Sequence, residues 1–142
     1  MTFQDLKLIS PLLANVRDAG YTVPTPIQEA TIPLVLEGDD VLGCAQTGTG
    51  KTASFALPIL QRLLQQPSRR PDARVIRALV LSPTRELAMQ TWENFEQYGK
   101  GLPLKSCVIF VISLKVKTVS VALSLPWDMI PTSRQVKQRC SC

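Results

Sequence analysis

Apolar residues recur at helical spacing near the start of the chain. Ser10 and Pro11 open a predicted helix, with the proline placed where its missing N–H costs nothing. Leu12, Leu13, Val16 and Ala19 share one face, and Gly20 ends the pattern. A second helix opens at Thr25-Pro26-Ile27-Gln28, with Pro33 predicted to interrupt it and Gly38 to end it. Val41–Cys44 is a short apolar run that reads as a buried strand, and a glycine-rich turn follows. From Thr52 to about Gln65 the period is helical again, with Ala56, Ile59, Leu60, Leu63 and Leu64 on one stripe and Pro58 predicted to kink it. Gln66–Arg74, with two prolines and three arginines, reads as a surface loop. Ala78–Leu81 is a second strand, Arg85 to about Tyr98 a further helix, and Lys105–Phe110 a third strand. This alternation predicts the α/β class: a parallel sheet with right-handed crossovers and flanking helices.

Beyond Phe110 the texture changes. Acids nearly vanish, and serine and valine dominate. The expected organisation is one folded unit over residues 1–110 and a tail over 111–142, irregular or adding one strand. The strand candidate is Thr118–Leu125, where Val119, Val121, Leu123 and Leu125 alternate with Thr118, Ser120, Ala122 and Ser124.

Composition narrows the function classes. A chain of 142 residues with 45% apolar and 19% charged residues suits one folded domain. The absence of histidine excludes His-based acid–base catalysis, Ser-His triads and His-ligated metals. The net charge of +5 is uneven: residues 1–105 hold 11 basic and 10 acidic groups, and residues 106–142 hold 5 basic groups and one acid. The basic balance therefore belongs to the tail and says little about a nucleic-acid face on the body. Cys44, Cys107, Cys140 and Cys142 form no C-x-x-C pair and read as free thiols, with no disulfide-linked partner expected. The N-terminus has no leader pattern, and the longest apolar run, Cys107–Leu114, is too short to span a bilayer. The expectation is a cytoplasmic protein without membrane contact.

The strongest chemical signal is Ala45-Gln46-Thr47-Gly48-Thr49-Gly50-Lys51-Thr52. It is a phosphate-binding loop with Ala45 in place of the usual first glycine. Gly48 and Gly50 let successive N–H groups turn into one cavity, and the helix beginning near Lys51 adds its N-terminal dipole. Lys51 suits the β- and γ-phosphates of a nucleotide, and the Thr52 hydroxyl suits Mg²⁺.

Three ordered motifs make the chain resemble the start of a DEAD-box ATP-dependent RNA helicase. They are Gly20-Tyr21-Thr22-Val23-Pro24-Thr25-Pro26-Ile27-Gln28, then Ala45–Thr52, then Pro83-Thr84-Arg85-Glu86-Leu87-Ala88. Phe3 stands 17 residues before Gly20, where that family places an isolated aromatic. The resemblance covers residues 1 to about 110. It implies part of a RecA-like domain, ATP and Mg²⁺ as cofactors, and RNA as partner through contacts to its backbone. By resemblance, Gln28 bonds the adenine edge, Tyr21 stacks on the ring, and Pro83, Thr84 and Arg85 meet RNA phosphates. Thr25-x-x-Gln28 is also a capping box, which needs no nucleotide. Arg69, Arg70, Arg74 and Arg77 read as a solvated charge run, and Trp92 with Phe95 as core packing.

The family pattern then fails. Phe110 is followed by Val111-Ile112-Ser113 where the family has Gly-Gly, and no Asp-Glu-Ala-Asp follows. After Glu96 the only carboxylate side chain is Asp128. The expectation is a RecA-like unit truncated before its Walker-B strand, with no catalytic residues. The alternatives are a non-catalytic ATP- or RNA-binding fragment and an unrelated phosphate-loop NTPase.

Overall fold

The computed structural model describes residues 1–66, 76–112 and 117–124. A short 3₁₀ turn, Phe3–Leu6, leads into α1 (Ser10–Asp18), α2 (Pro26–Glu37) and α3 (Lys51–Gln65). β1 (Arg77–Ser82), α4 (Arg85–Tyr98), β2 (Cys107–Ile112) and β3 (Lys117–Ser124) follow. The helices start where sequence chemistry allows. Pro26 sits in the first turn of α2, and Gly38 ends it in the left-handed region at φ +99°. Thr84 caps α4, its Oγ1 accepting from the Leu87 N–H at 3.3 Å. The interruption expected at Pro33 does not occur, since α2 runs through it, and α3 likewise continues past Pro58. Each proline removes one backbone donor, and burial holds the helix across that gap: Pro58 is among the most deeply buried side chains.

One core joins the helices to one face of the sheet. Leu12 and Val16 of α1, Ile32 of α2, Leu57 and Leu60 of α3, and Phe95 and Tyr98 of α4 are all buried in it. Side-chain amides tie the N-terminal segment down. Gln61 accepts from the Ile9 N–H at 2.8 Å and donates to the Lys7 carbonyl at 2.9 Å. Asn15 donates to the carbonyls of Tyr98 at 2.7 Å and Lys100 at 2.9 Å, so α1 closes the end of α4. At the surface, the Thr2 N–H and hydroxyl both donate to Asp5, which holds the Asp5 carboxyl below the usual carboxylate range.

The sheet differs from the expected one. Its order is β1-β3-β2, and β3 runs antiparallel to both neighbours. β1 and β2 therefore point the same way, as a right-handed crossover requires, but they do not pair with each other. The amphipathic tail segment lies between them and supplies their ladder partners, since two strands with free backbone groups are satisfied by whichever extended segment reaches them. Val41–Cys44, expected as a strand of this sheet, is outside it. Only Val41 makes an isolated bridge, and Leu42 is 81% exposed. A four-residue run containing glycine has too few ladder bonds to hold an extended shape without strands on both sides.

Candidate functional site

The phosphate loop is built by two glycines and one lysine. Gly48 at φ +81° and Gly50 at φ +80° lie in the left-handed region, which a side chain resists. Gly50 is also the N-cap of α3, so the turn delivers the chain directly into a helix start. Lys51 curls back over the loop. Its ammonium donates to the Ala45 carbonyl and, at 2.7 Å, to the Gln46 carbonyl. Thr49 Oγ1 also donates to the Gln46 carbonyl, at 2.8 Å. The lysine charge thus lies against the carbonyl dipoles of its own loop.

A second layer holds the loop from behind. Thr25 Oγ1 donates to the Thr49 carbonyl at 2.8 Å. Gln28 is fully buried, its Oε1 accepting from the Thr25 N–H at 3.0 Å and its Nε2 donating to the Gly50 carbonyl at 3.1 Å. A Cβ on Gly50 would lie 2.3 Å from Gln28 Nε2 and displace that amide, and the left-handed φ of +80° is what demands glycine there. The capping box and the phosphate loop are thus one hydrogen-bonded unit.

A cavity of about 630 Å³ opens beside Lys51 and Thr52. Ile27, Thr31 and Val35 of α2, Phe55 of α3, the end of β1 from Val80 to Ser82 and the following Pro83 wall it, with Asp39 and Asp40 also on its lining. The sequence reading missed Asp39 and Asp40. Their position just before the run that leads into the phosphate loop was the available signal. Pro83 and Leu87 reach the same cavity, so the start of α4 and the phosphate loop meet there.

The predicted cofactor residues divide into three places. Ala45 to Thr52 form the loop itself. Gln28 lies behind it, with both ends of its amide engaged. Phe3 is 5% exposed within the core, and Tyr21 packs edge-on against Tyr98 with ring centroids 6.1 Å apart. The Tyr98 hydroxyl donates to the Tyr21 oxygen at 3.2 Å. Burial, and then that hydrogen bond, push the Tyr98 phenol above its usual range. Phe3, Tyr21 and Gln28 are not on the walls of the cavity.

At the start of α4, the Arg85 guanidinium stands 5.1 Å from the centroid of the Phe110 ring. Arg77 lies in β1 and donates to the Leu63 and Gln66 carbonyls, closing the end of α3, so this arginine is not part of a solvated run. Arg69, Arg70 and Arg74 lie outside the described residues. Phe95 is buried and Trp92 half-buried, in line with core packing. Cys44 and Cys107 are free and exposed, and Cys140 and Cys142 lie outside the described residues. Among the described residues no group of three or more Cys, Asp or Glu could hold a metal ion. No helix there is long and apolar enough to cross a membrane.

The sequence model of the DEAD/DEAH box helicases matches residues 25–123, well over half of the chain. The chain belongs to the DEAD/DEAH box helicase family. DEAD-box ATP-dependent RNA helicase 28 of Oryza sativa subsp. japonica is 45% identical over 136 residues, which are 95% of this chain and 16% of the relative. Among solved structures, the RNA-helicase Prp28 from Chaetomium thermophilum bound to ADP aligns with a TM-score of 0.65 and 36% identity, over 76% of this chain and 26% of that one. S. cerevisiae Dbp5 bound to RNA and ADP BeF3 aligns with a TM-score of 0.61 and 37% identity, over 70% of this chain and 24% of that one. The fold is accordingly the α/β RecA-like one of DEAD-box helicases, represented in part. The match passes Phe110, where the motif pattern departs, and reaches into β3. The chain spans between 11% and 24% of the length of the curated relatives it matches.

Proposed function

We infer that this DEAD-box chain binds the phosphates of an adenine nucleotide at Gly48–Thr52 and RNA backbone at Pro83, Thr84 and Arg85, without turning the nucleotide over. The observation that carries the reading is the loop itself: two left-handed glycines feeding a helix N-terminus, with the Lys51 ammonium resting on carbonyls that an anion would replace. The relatives are named as ATP-dependent RNA helicases, and two of the aligned structures hold ADP or ADP BeF3. These names support the nucleotide and the RNA.

The residues present fit phosphate better than they fit a metal. Lys51 supplies positive charge to the β- and γ-phosphates, the loop N–H groups orient them, and Thr52 offers one hydroxyl to Mg²⁺. A bound Mg²⁺ would neutralise phosphate charge, with the nucleotide supplying its other ligands. Turnover also needs an oriented water and charge stabilisation on the leaving phosphate, and no acidic pair occurs in the sequence after Glu96. For the base, the reading keeps Tyr21 and Gln28 as contacts. Gln28 then exchanges its bonds to Thr25 and Gly50 for the adenine edge, which couples base binding to release of the loop. Residues 1–110 act as the nucleotide- and RNA-binding unit and 111–142 as a tail, in a cytoplasmic protein.

Titration calorimetry tests this. Lys51→Ala is expected to weaken ATP at least tenfold and adenosine less than twofold, because the ammonium acts on phosphate charge. Equal loss for both ligands overturns the placement. RNA-stimulated ATP hydrolysis abolished by Lys51→Ala overturns the non-catalytic part.

A further inference from the structure

The ring of Phe110 is half in solvent, and the packing explains why. Val108, two residues earlier on β2, lies against Ala88 of α4 together with Val80. Side chains on a strand return to the same face every second residue, so Phe110 continues that row about 7 Å further along. The helix has ended there, since α4 begins at Arg85. The ring is 40% exposed, whereas Phe95 within the same layer is 2% exposed. A guanidinium stands against the Phe110 ring: Arg85 lies 5.1 Å from its centroid. An aromatic face and a planar cation meet at the carboxyl ends of β1 and β2, beside the Thr84 cap. Neither group is used by the nucleotide site.

We propose that Phe110 and Arg85 form a stacking platform for a base of single-stranded RNA. This rests on the RNA reading above and goes beyond it, because contacts at Pro83, Thr84 and Arg85 concern only the backbone. Aromatic rings and guanidinium planes are the surfaces on which unpaired bases stack, and the preference among bases is weak because every base has a π face. Phe110 holds the guanidinium by a cation–π contact and so fixes the plane that a base would meet. The platform takes an unpaired nucleotide and refuses a base pair, whose bases are already stacked.

The test compares two fluorescein-labelled probes on the 142-residue chain: a single-stranded oligouridylate and an abasic ribose-phosphate strand of equal length. Wild type is expected to prefer the base-bearing strand. Phe110→Ala should weaken that strand by roughly 5- to 150-fold, the range that base–aromatic stacking spans, and shift the abasic strand less than twofold. Arg85→Lys keeps the charge and loses the plane, so it should also weaken the base-bearing strand more than the abasic one. If Phe110→Ala does not fold, Phe110→Trp decides: oligouridylate should quench its added emission beyond the change seen in wild type. Wild-type binding to both strands with equal affinity overturns the platform and leaves the backbone reading intact. Binding to neither strand overturns both. Equal affinity of wild type, Phe110→Ala and Phe110→Leu for oligouridylate also sinks the platform.

Discussion

The helical layer and the sheet of this chain treat their apolar residues differently. In the helices, Leu12, Val16, Ile32, Leu57 and Leu60 are buried on one side of each element, and the polar groups among them are paired by Gln28, Gln61 and Asn15. In the sheet, Ala78 faces the helices, but Leu79 at 59% and Leu81 at 61% exposure face away, joined by Ile109 on β2. The difference teaches where stability is made. A helix needs one apolar stripe covered, and its neighbours do that within the described residues. A sheet of this class has two apolar faces, and only one is covered among the described residues.

Substitutions can break that comparison. The largest effect is expected at Leu57, fully buried in α3. Leu57→Ala should lower the unfolding free energy by about 2–5 kcal/mol, through lost transfer energy and the cavity left behind. Leu79→Thr and Leu81→Thr should each stay within about 0.5 kcal/mol, yet raise the concentration at which the protein remains monomeric. Urea midpoints and sedimentation measure the two quantities. Equal losses at Leu57 and Leu81 would show that the outer face is covered in solution.

Gln28→Ala comes next. It leaves the Thr25 N–H and the Gly50 carbonyl without their partner, at a cost of about 1–3 kcal/mol. The clamp predicts that this loss and the loss of nucleotide affinity arise together, as thermal unfolding with and without ATP would reveal. A destabilised variant with unchanged affinity would separate the cap from the loop.

The smallest effect concerns pH. The Tyr98 phenol is raised in the folded state, so the folded chain holds that proton more tightly than the unfolded one. Its contribution is therefore intact below about pH 10, the unfolded value, and falls as pH rises past it. The chain has two tyrosines, so Tyr21→Phe leaves Tyr98 alone in a phenolate absorbance titration. A midpoint still above pH 10 is expected, because burial is the main cause and survives the change. A midpoint at or below 10 would remove Tyr98 from the core.

Much of this architecture is legible in the sequence, and the failures have physical reasons. Pro26, Gly38 and the apolar stripes mark helix boundaries within a residue or two, because caps and periodicity are local. The phosphate loop was legible because its glycines and lysine act over eight consecutive residues. The sheet pairing was not. Nothing within Val41–Cys44 records whether a neighbour exists on either side, and nothing within Thr118–Leu125 says which strands it will join. The role of Gln28 was only half visible: Thr25-x-x-Gln28 announced the cap, but the bond to Gly50 spans 22 residues. Phe110 marks only a strand end in the sequence, and its exposure follows from where another element stops.

The two amide ties of the N-terminal segment set a timetable for the newly made chain. Ile9 waits for Gln61, 52 residues later, and Asn15 waits for Tyr98, 83 residues later. At a synthesis speed of about 5–20 residues per second, the second tie becomes available roughly 4–17 seconds after Asn15 is joined. Leu12 and Val16 spend that interval without the helix that covers them. α1 is thus made well before the partners that lock it, and its apolar stripe is the surface a nascent-chain chaperone would meet.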